Sequence, residues 1–401
     1  MGNTLLDIVR RQKEGEAIGI CSVCSSSPFV IDAALLQAKE CGTDVLIEAT
    51  ANQVNQFGGY TGMKPEDFRD WVLKRADQIG LERERVILGG DHLGPVAWKK
   101  ESESDAMDKA EDLVRAFAKA GFTKIHLDCS MPLGDEVTLS TEEIADRTVR
   151  LCRASEEEFD ASGAAKPVYV IGSEVPTPGG SGEEEELSVT KPEALLEMYS
   201  CFKDKFETAG LPWERVVAAV VQPGVEFGND SVHEYVPQDA KELVKTAAGL
   251  EGIVLEGHST DYQKEESLAA MVRDGIAILK VGPALTFAAR EGIFALEEIE
   301  KESLGALAKA GRELSNFAEI LDQAMLDDPS NWKDHYTSEE PESTRLRKYS
   351  LSDRSRYYMN VPAVQEALLK LMSNLDNDPE GFVIDKVREV LDQYWRACGQ
   401  I

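Results

Sequence analysis

Eight short apolar runs, each closing on or beside a polar residue and separated by stretches of helical period, constrain this chain more than any other feature. They occupy residues 17–21, 45–48, 86–91, 125–128, 168–174, 216–222, 253–258 and 276–280. Near-continuous Val, Ile, Leu and Ala, without strict alternation, marks parallel strands buried on both faces. Between the runs, Met107, Ala110, Val114 and Phe117 recur at three- and four-residue steps and Gly121 supplies a stop. Thr190 and Glu193 have capping-box spacing ahead of Leu195, Met198, Phe202 and Phe206. Strands alternating with amphipathic helices are βα units, and eight of them match the size of a closed (β/α)8 barrel. The expected fold class is therefore α/β, a TIM barrel, with a doubly wound open sheet as the alternative.

The barrel is expected over residues 1–290. Residues 291–401 read as a helical C-terminal extension packed on it, containing a long charged loop (328–360) and a final amphipathic pair (364–375 and 383–395). The acidic run 183–186 reads as a solvated loop. With 43 Lys+Arg against 73 Asp+Glu the formal charge is -30, a field that repels phosphate backbones and anionic lipid, so nucleic acid and membrane are not expected partners. No apolar stretch approaches the roughly 18 residues of a membrane span and no charged-then-apolar leader is seen, so a cytoplasmic location is expected. The seven cysteines are odd in number and scattered, unlike a disulfide framework. Cys21-x-x-Cys24 lacks the second pair or adjacent histidines of a zinc site and reads as small residues closing a strand. Neither a phosphate-binding Gly-x-x-x-x-Gly-Lys nor a post-strand Gly-x-Gly-x-x-Gly occurs, which disfavours a nucleotide-dependent kinase. A Gly-x-Ser-x-Gly elbow is also missing, so serine hydrolase chemistry has no support.

In a barrel the chemistry gathers at the C-terminal ends of the strands. Here those ends offer Glu48, Asp91 with His92, Asp128 and Glu174, then Gln222 with nearby Glu226, Glu256 with His258, and Lys280. Imidazoles among carboxylates suit a divalent ion such as zinc or manganese. His92, His258 and Glu226 are the expected ligands and Glu174 a further one. Asp128 could ligate, act as acid or base, or orient a neighbour. His126 lies inside its run and reads as buried structure, while His233 and His335 fall in polar loops.

Several long strings then carry a resemblance. Ser25-Ser26-Ser27-Pro28, the stretch 51–63 from Ala51-Asn52-Gln53 to Thr61-Gly62-Met63, Gly89-Gly90-Asp91-His92-Leu93-Gly94-Pro95, Val221-Gln222-Pro223-Gly224-Val225-Glu226-Phe227, Glu256-Gly257-His258-Ser259-Thr260-Asp261 and Tyr349-Ser350-Leu351-Ser352-Asp353-Arg354 resemble the Z-subunit family of D-tagatose-1,6-bisphosphate aldolase over nearly the whole chain. The resemblance implies kinship with the class II aldolases, metal-dependent barrels, and with epimerases that act on free ketoses. It makes Asp91-His92 the counterpart of the aldolase Asp-His pair. Glu256-Gly257-His258-Ser259-Thr260 and Lys280-Val281-Gly282 depart from the aldolase strings that cradle a substrate phosphate. The expectation drawn from this is a metal-dependent epimerase of a free ketohexose or ketohexuronate. It would work at C4 by retro-aldol cleavage and re-addition, or at C3 by proton exchange, with Asp91, Asp261 and Asp128 as the acid/base residues. Asp261 could instead cap a helix beginning near Tyr262. Gln53, Asn55, Gln222, Ser259, Lys280 and Arg354 are the expected contacts to the small-molecule ketose, and a homo-oligomer the expected assembly. The alternative is a non-catalytic stabilising subunit that pairs with an aldolase catalytic subunit.

Overall fold

The eight apolar runs form strands that close on one another. A computed structural model describes residues 3–162, 165–173, 187–303, 305, 308 and 311–401. In it, β1 (Ile20–Cys24), β2 (Val45–Thr50), β3 (Val86–Leu93), β4 (Lys124–Leu127), β5 (Val168–Ile171), β6 (Val216–Val221), β9 (Val254–Gly257) and β10 (Ile276–Val281) pair in parallel in that order, and β10 returns to β1. The fold is thus a (β/α)8 barrel with C-terminal helices. The alternative open sheet is excluded by the β1–β10 pairing. β7 (Glu226–Phe227) and β8 (Val232–His233) form a short antiparallel pair after β6.

Register follows from side-chain volume. β2 and β3 pair Glu48 with Gly89, and a Cβ on Gly89 would lie 2.7 Å from the Glu48 Cγ, so the glycine makes room for a carboxylate inside the barrel. One turn further, a Cβ on Gly94 would stand 1.8 Å from the Asp128 carbonyl oxygen, so the β3 and β4 loops meet only through a glycine.

The two ends of the barrel differ in chemistry. Helix Thr4–Lys13, whose first N–H groups are capped by the Asn3 side chain, pushes Leu5, Ile8 and Val9 against Ile20, Leu46 and Val254 and seals one end with apolar side chains. The other end is polar. Helix Pro379–Ala397 lies against helices Pro28–Cys41, Glu265–Arg273 and Pro283–Glu302, burying Leu391 and Trp395.

Two local expectations change. Thr190 is not a cap: helix Pro192–Thr208 starts on Pro192, and the Thr190 hydroxyl accepts the Gln222 N–H at 2.9 Å. The expected loop 328–360 contains helix Glu342–Tyr349. Its Arg347 is buried over the Trp332 ring and paired with Asp322 and Glu340, so ion pairs and one aromatic replace the apolar stripe that would have marked it. All seven cysteines are free. Among the described residues no helix is long and apolar enough to cross a membrane.

Candidate metal centre

β3 delivers Asp91 and His92 to the polar end, with His92 in the left-handed region at φ 47°. A non-glycine residue there is strained and persists only where its neighbours hold it; its N–H donates to His126 Nδ1 at 3.1 Å. Because side chains alternate along a strand, Lys124 and His126 of β4 share the inward face and Asp128 follows beyond the strand end. β9 brings Glu256, and His258 stands one residue past it. Asp91, His92, His126 and His258 are all buried and each offers a ligand atom within 4.8 Å of the others.

The hydrogen bonds around this group select ring nitrogens. His92 Nδ1 lies 2.8 Å from Asp128 Oδ2, so Nδ1–H donates and Nε2, 3.7 Å from Asp91 Oδ2, is the free nitrogen. Burial opposes charge on both partners, yet their mutual contact lowers the Asp128 pKa to about 2 and, together with Asp91, raises that of His92. His258 Nε2 faces Glu256 Oε1 at 3.0 Å, leaving Nδ1 free, and burial lowers its pKa to about 3, so the ring is neutral as a ligand must be. His126 Nδ1 is 2.9 Å from Asp91 Oδ1, while its Nε2 is buried with no hydrogen-bond partner.

Beneath the cluster runs a buried ion network. Lys280 Nζ contacts Asp91 Oδ1 at 2.8 Å and pairs with Glu48; Lys124 Nζ lies 2.6 Å from Glu48 and 2.7 Å from Glu256. Glu48, Asp91, Asp128 and Glu256 supply four carboxylates against the two ammonium groups of Lys124 and Lys280. Uncompensated charge in a dry interior is costly. Three imidazoles and a carboxylate beside that excess fit a divalent ion of zinc-like preference.

A cavity of about 290 Å³ opens beside the cluster and is lined in part by Asp91, His92 and His258. Of the residues expected to contact a ketose, Gln53, Ser259 and Lys280 line it as well. The structure does not bring the other three there. Asn55 spends its amide on the loop, donating to the Ala51 carbonyl and accepting the Phe57 and Gly59 N–H groups. Gln222 accepts the Gly224 and Val225 N–H groups and shapes a turn. Arg354 donates to the Asn331 carbonyl, and Arg356, two residues on, reaches the cavity instead.

The expected ligands divide similarly. Glu226 opens the β7–β8 pair, where its carboxylate accepts the Phe227 N–H at 2.9 Å, and it lies outside the four-residue group. Glu174 lies outside the described residues. His126, read from sequence as buried structure, is a member. Asp261 also differs from expectation: its Oδ1 accepts the N–H groups of Gly282 at 3.0 Å and Ala284 at 2.8 Å, so it binds the start of helix Pro283–Glu302, not that of a helix near Tyr262. Burial raises its pKa to about 6 despite those donors.

Known proteins bear on this geometry. Residues 5–381 match the family described as D-tagatose-1,6-bisphosphate aldolase subunit GatZ/KbaZ-like. The chain is 43% identical to the protein named D-tagatose-1,6-bisphosphate aldolase subunit GatZ from Klebsiella pneumoniae and 42% identical to that from Salmonella heidelberg, covering 98% of each partner and of itself. A solved structure titled a probable tagatose 6 phosphate kinase, from Sinorhizobium meliloti, superposes with a TM-score of 0.86 at 42% identity, over 95% of this chain and all of that one. Fructose-bisphosphate aldolase from Campylobacter jejuni, at 15% identity and a TM-score of 0.50 over 97% of this chain and 93% of its own, shares the fold alone. The expectation of a ketose epimerase is overturned by the family match and by the relatives from Klebsiella and Salmonella, which are named as aldolase subunits and not as isomerases. The chain belongs to the D-tagatose-1,6-bisphosphate aldolase subunit GatZ/KbaZ-like family.

Proposed function

We propose that this protein is a cytoplasmic, stabilising subunit of a D-tagatose-1,6-bisphosphate aldolase, that it works beside a separate class II aldolase chain, and that its own barrel holds a divalent cation at Asp91, His92, His126 and His258 without cleaving the bisphosphate. The observation that carries the reading is 43% identity across 98% of a subunit bearing that name.

Two features of the site support the absence of turnover. Barrels often seat a substrate phosphate between the loops after the seventh and eighth strands at a helix N-terminus. In this chain the carboxylate of Asp261 takes the N–H groups of Gly282 and Ala284 at that position, so a phosphate would meet an acceptor where it needs donors. Asp91, the counterpart of an aldolase acid/base, has Lys280 and His126 on one oxygen and Cys24 Sγ at 3.5 Å from the other. A carboxylate so engaged is a ligand and an ion-pair partner before it is a proton carrier. A bound divalent cation would neutralise the excess of carboxylates and act there as a Lewis acid toward any sugar oxygen that reached it.

The test compares the purified chain, a class II aldolase catalytic chain, and the two co-expressed, with tagatose-1,6-bisphosphate as substrate and triose phosphate release as the signal. No cleavage by this chain alone, co-purification of the two, and a longer half-life of the partner's activity are expected. Cleavage by this chain alone, lost in Asp91→Asn, would overturn the reading.

A further inference from the structure

One buried lysine is joined to the metal-ligand cluster by two routes without touching it. Lys124 is fully buried on β4. Its Nζ stands between Glu48 Oε1 at 2.6 Å and Glu256 Oε2 at 2.7 Å, and both carboxylates are fully buried too. Nζ and those two oxygens make no well-directed hydrogen bonds, so charge holds the trio. The second oxygen of each carboxylate points onward. Glu256 Oε1 meets His258 Nε2 at 3.0 Å, and Glu48 Oε2 meets Lys280, which is 2.8 Å from Asp91 Oδ1.

An ionised carboxylate only accepts, so the nitrogen facing Glu256 must carry the ring proton and the other nitrogen of His258 is left bare. That assignment depends on Glu256 remaining ionised in a water-free interior opposite a second carboxylate, which requires a cation between them. Lys124 is that cation. Groups that orient a metal-bound histidine are commonly worth ten- to a hundred-fold in metal affinity.

We propose that Lys124 is a positioning residue of the metal centre: through Glu256 it fixes His258 as the Nε2–H tautomer with Nδ1 toward the ion, and through Glu48 and Lys280 it holds Asp91 in place. This rests on the reading of the cluster as a divalent-metal site and not on the choice of aldolase partner.

The test uses the full chain with Zn²⁺ or Co²⁺ alone. Metal affinity is measured by competition with a chromogenic chelator, and the tautomer of His258 by ¹⁵N shifts of its ring nitrogens, which only five histidines make assignable. Lys124→Met is expected to weaken binding by at least about ten-fold and to remove the Nε2–H signature of His258. Glu256→Gln keeps Glu48 paired with Lys124 and presents an amide N–H that can invert the tautomer, so it tests the last link of the route and is expected to weaken binding similarly; where Lys124→Met does not fold, Lys124→Gln makes the same test of the cation. Wild-type affinity within two-fold and an unchanged tautomer in any folded variant would overturn the proposal while leaving the metal site standing. A wild-type chain that binds neither ion would overturn both.

Discussion

The imidazole of His92 is held by Asp128, Nδ1 to Oδ2 at 2.8 Å, so a carboxylate that does not itself join the cluster decides which nitrogen of His92 faces it. Asp128 is in turn steadied by the Ser130 N–H and hydroxyl. Asp128→Ala should leave His92 free to take either tautomer and lower the affinity for Zn²⁺ by about ten- to a hundred-fold, read by chelator competition. Ser130→Ala, one contact further out, should cost much less. Equal affinities in Asp128→Ala and wild type would mean that the strained backbone at His92 orients the ring unaided.

Asp261 gives the protein a pH dependence of stability. Its folded pKa, about 6, lies above the ordinary 3.8 because the carboxyl is buried. The folded state therefore holds this proton more tightly than the unfolded chain does. The contribution favouring the fold is complete below about pH 4, declines as pH rises through 6, and is gone above it. Asp261→Asn keeps an oxygen for the Gly282 and Ala284 N–H groups but cannot ionise. It should be the more stable protein at pH 8 by up to about 3 kcal/mol, with the difference vanishing near pH 4. Urea unfolding at pH 4, 6 and 8 reads this directly, and identical curves at pH 8 would show that the helix start accommodates the charge in full.

The opposite end of the barrel should be energetically separate from the site. Leu5 is buried in the apolar plug that helix Thr4–Lys13 pushes into the barrel. Leu5→Ala should cost about 2–5 kcal/mol through lost transfer energy and the cavity left behind. Because Leu5 shares no partner with the cluster, Zn²⁺ affinity of the folded variant should stay within two-fold. A large loss of affinity would mean that the plug sets strand positions at the polar end.

The barrel was legible because its strands are buried on both faces and so spell themselves out as unbroken apolar runs, each announcing its end with a polar residue. Asp91, His92 and His258 sit at those ends and could be read there. His126 and Lys124 could not be read as strand ends, yet a weaker signal was present: Lys124, His126 and Asp128 alternate with Ile125 and Leu127, a polar stripe of period two that in a barrel strand must face inward. Glu226 was expected from its nearness in sequence to a strand end, which says nothing of the β7–β8 hairpin where the structure places it, outside the four-residue group. Helix Glu342–Tyr349 was hidden for a different reason, since arginine pairs and a tryptophan face replace the apolar period on which such a reading depends.

The excess of buried carboxylate around the cluster makes a bound cation part of the stability of the folded chain. Anything that binds the native state alone stabilises it by mass action, about 2.7 kcal/mol at a hundred times its dissociation constant. The chain with Zn²⁺ should therefore melt higher than after treatment with chelator, and re-addition of the ion should restore the transition. His258→Ala removes a ligand and leaves Glu256 without its imidazole partner, so it should melt near the chelated wild type and respond to neither ion nor chelator. Glu226→Ala, altering a carboxylate outside the four-residue group, should keep the full Zn²⁺-dependent shift. If Glu226→Ala instead abolished the shift and His258→Ala retained it, the ligand set would have to be redrawn around the β7–β8 hairpin.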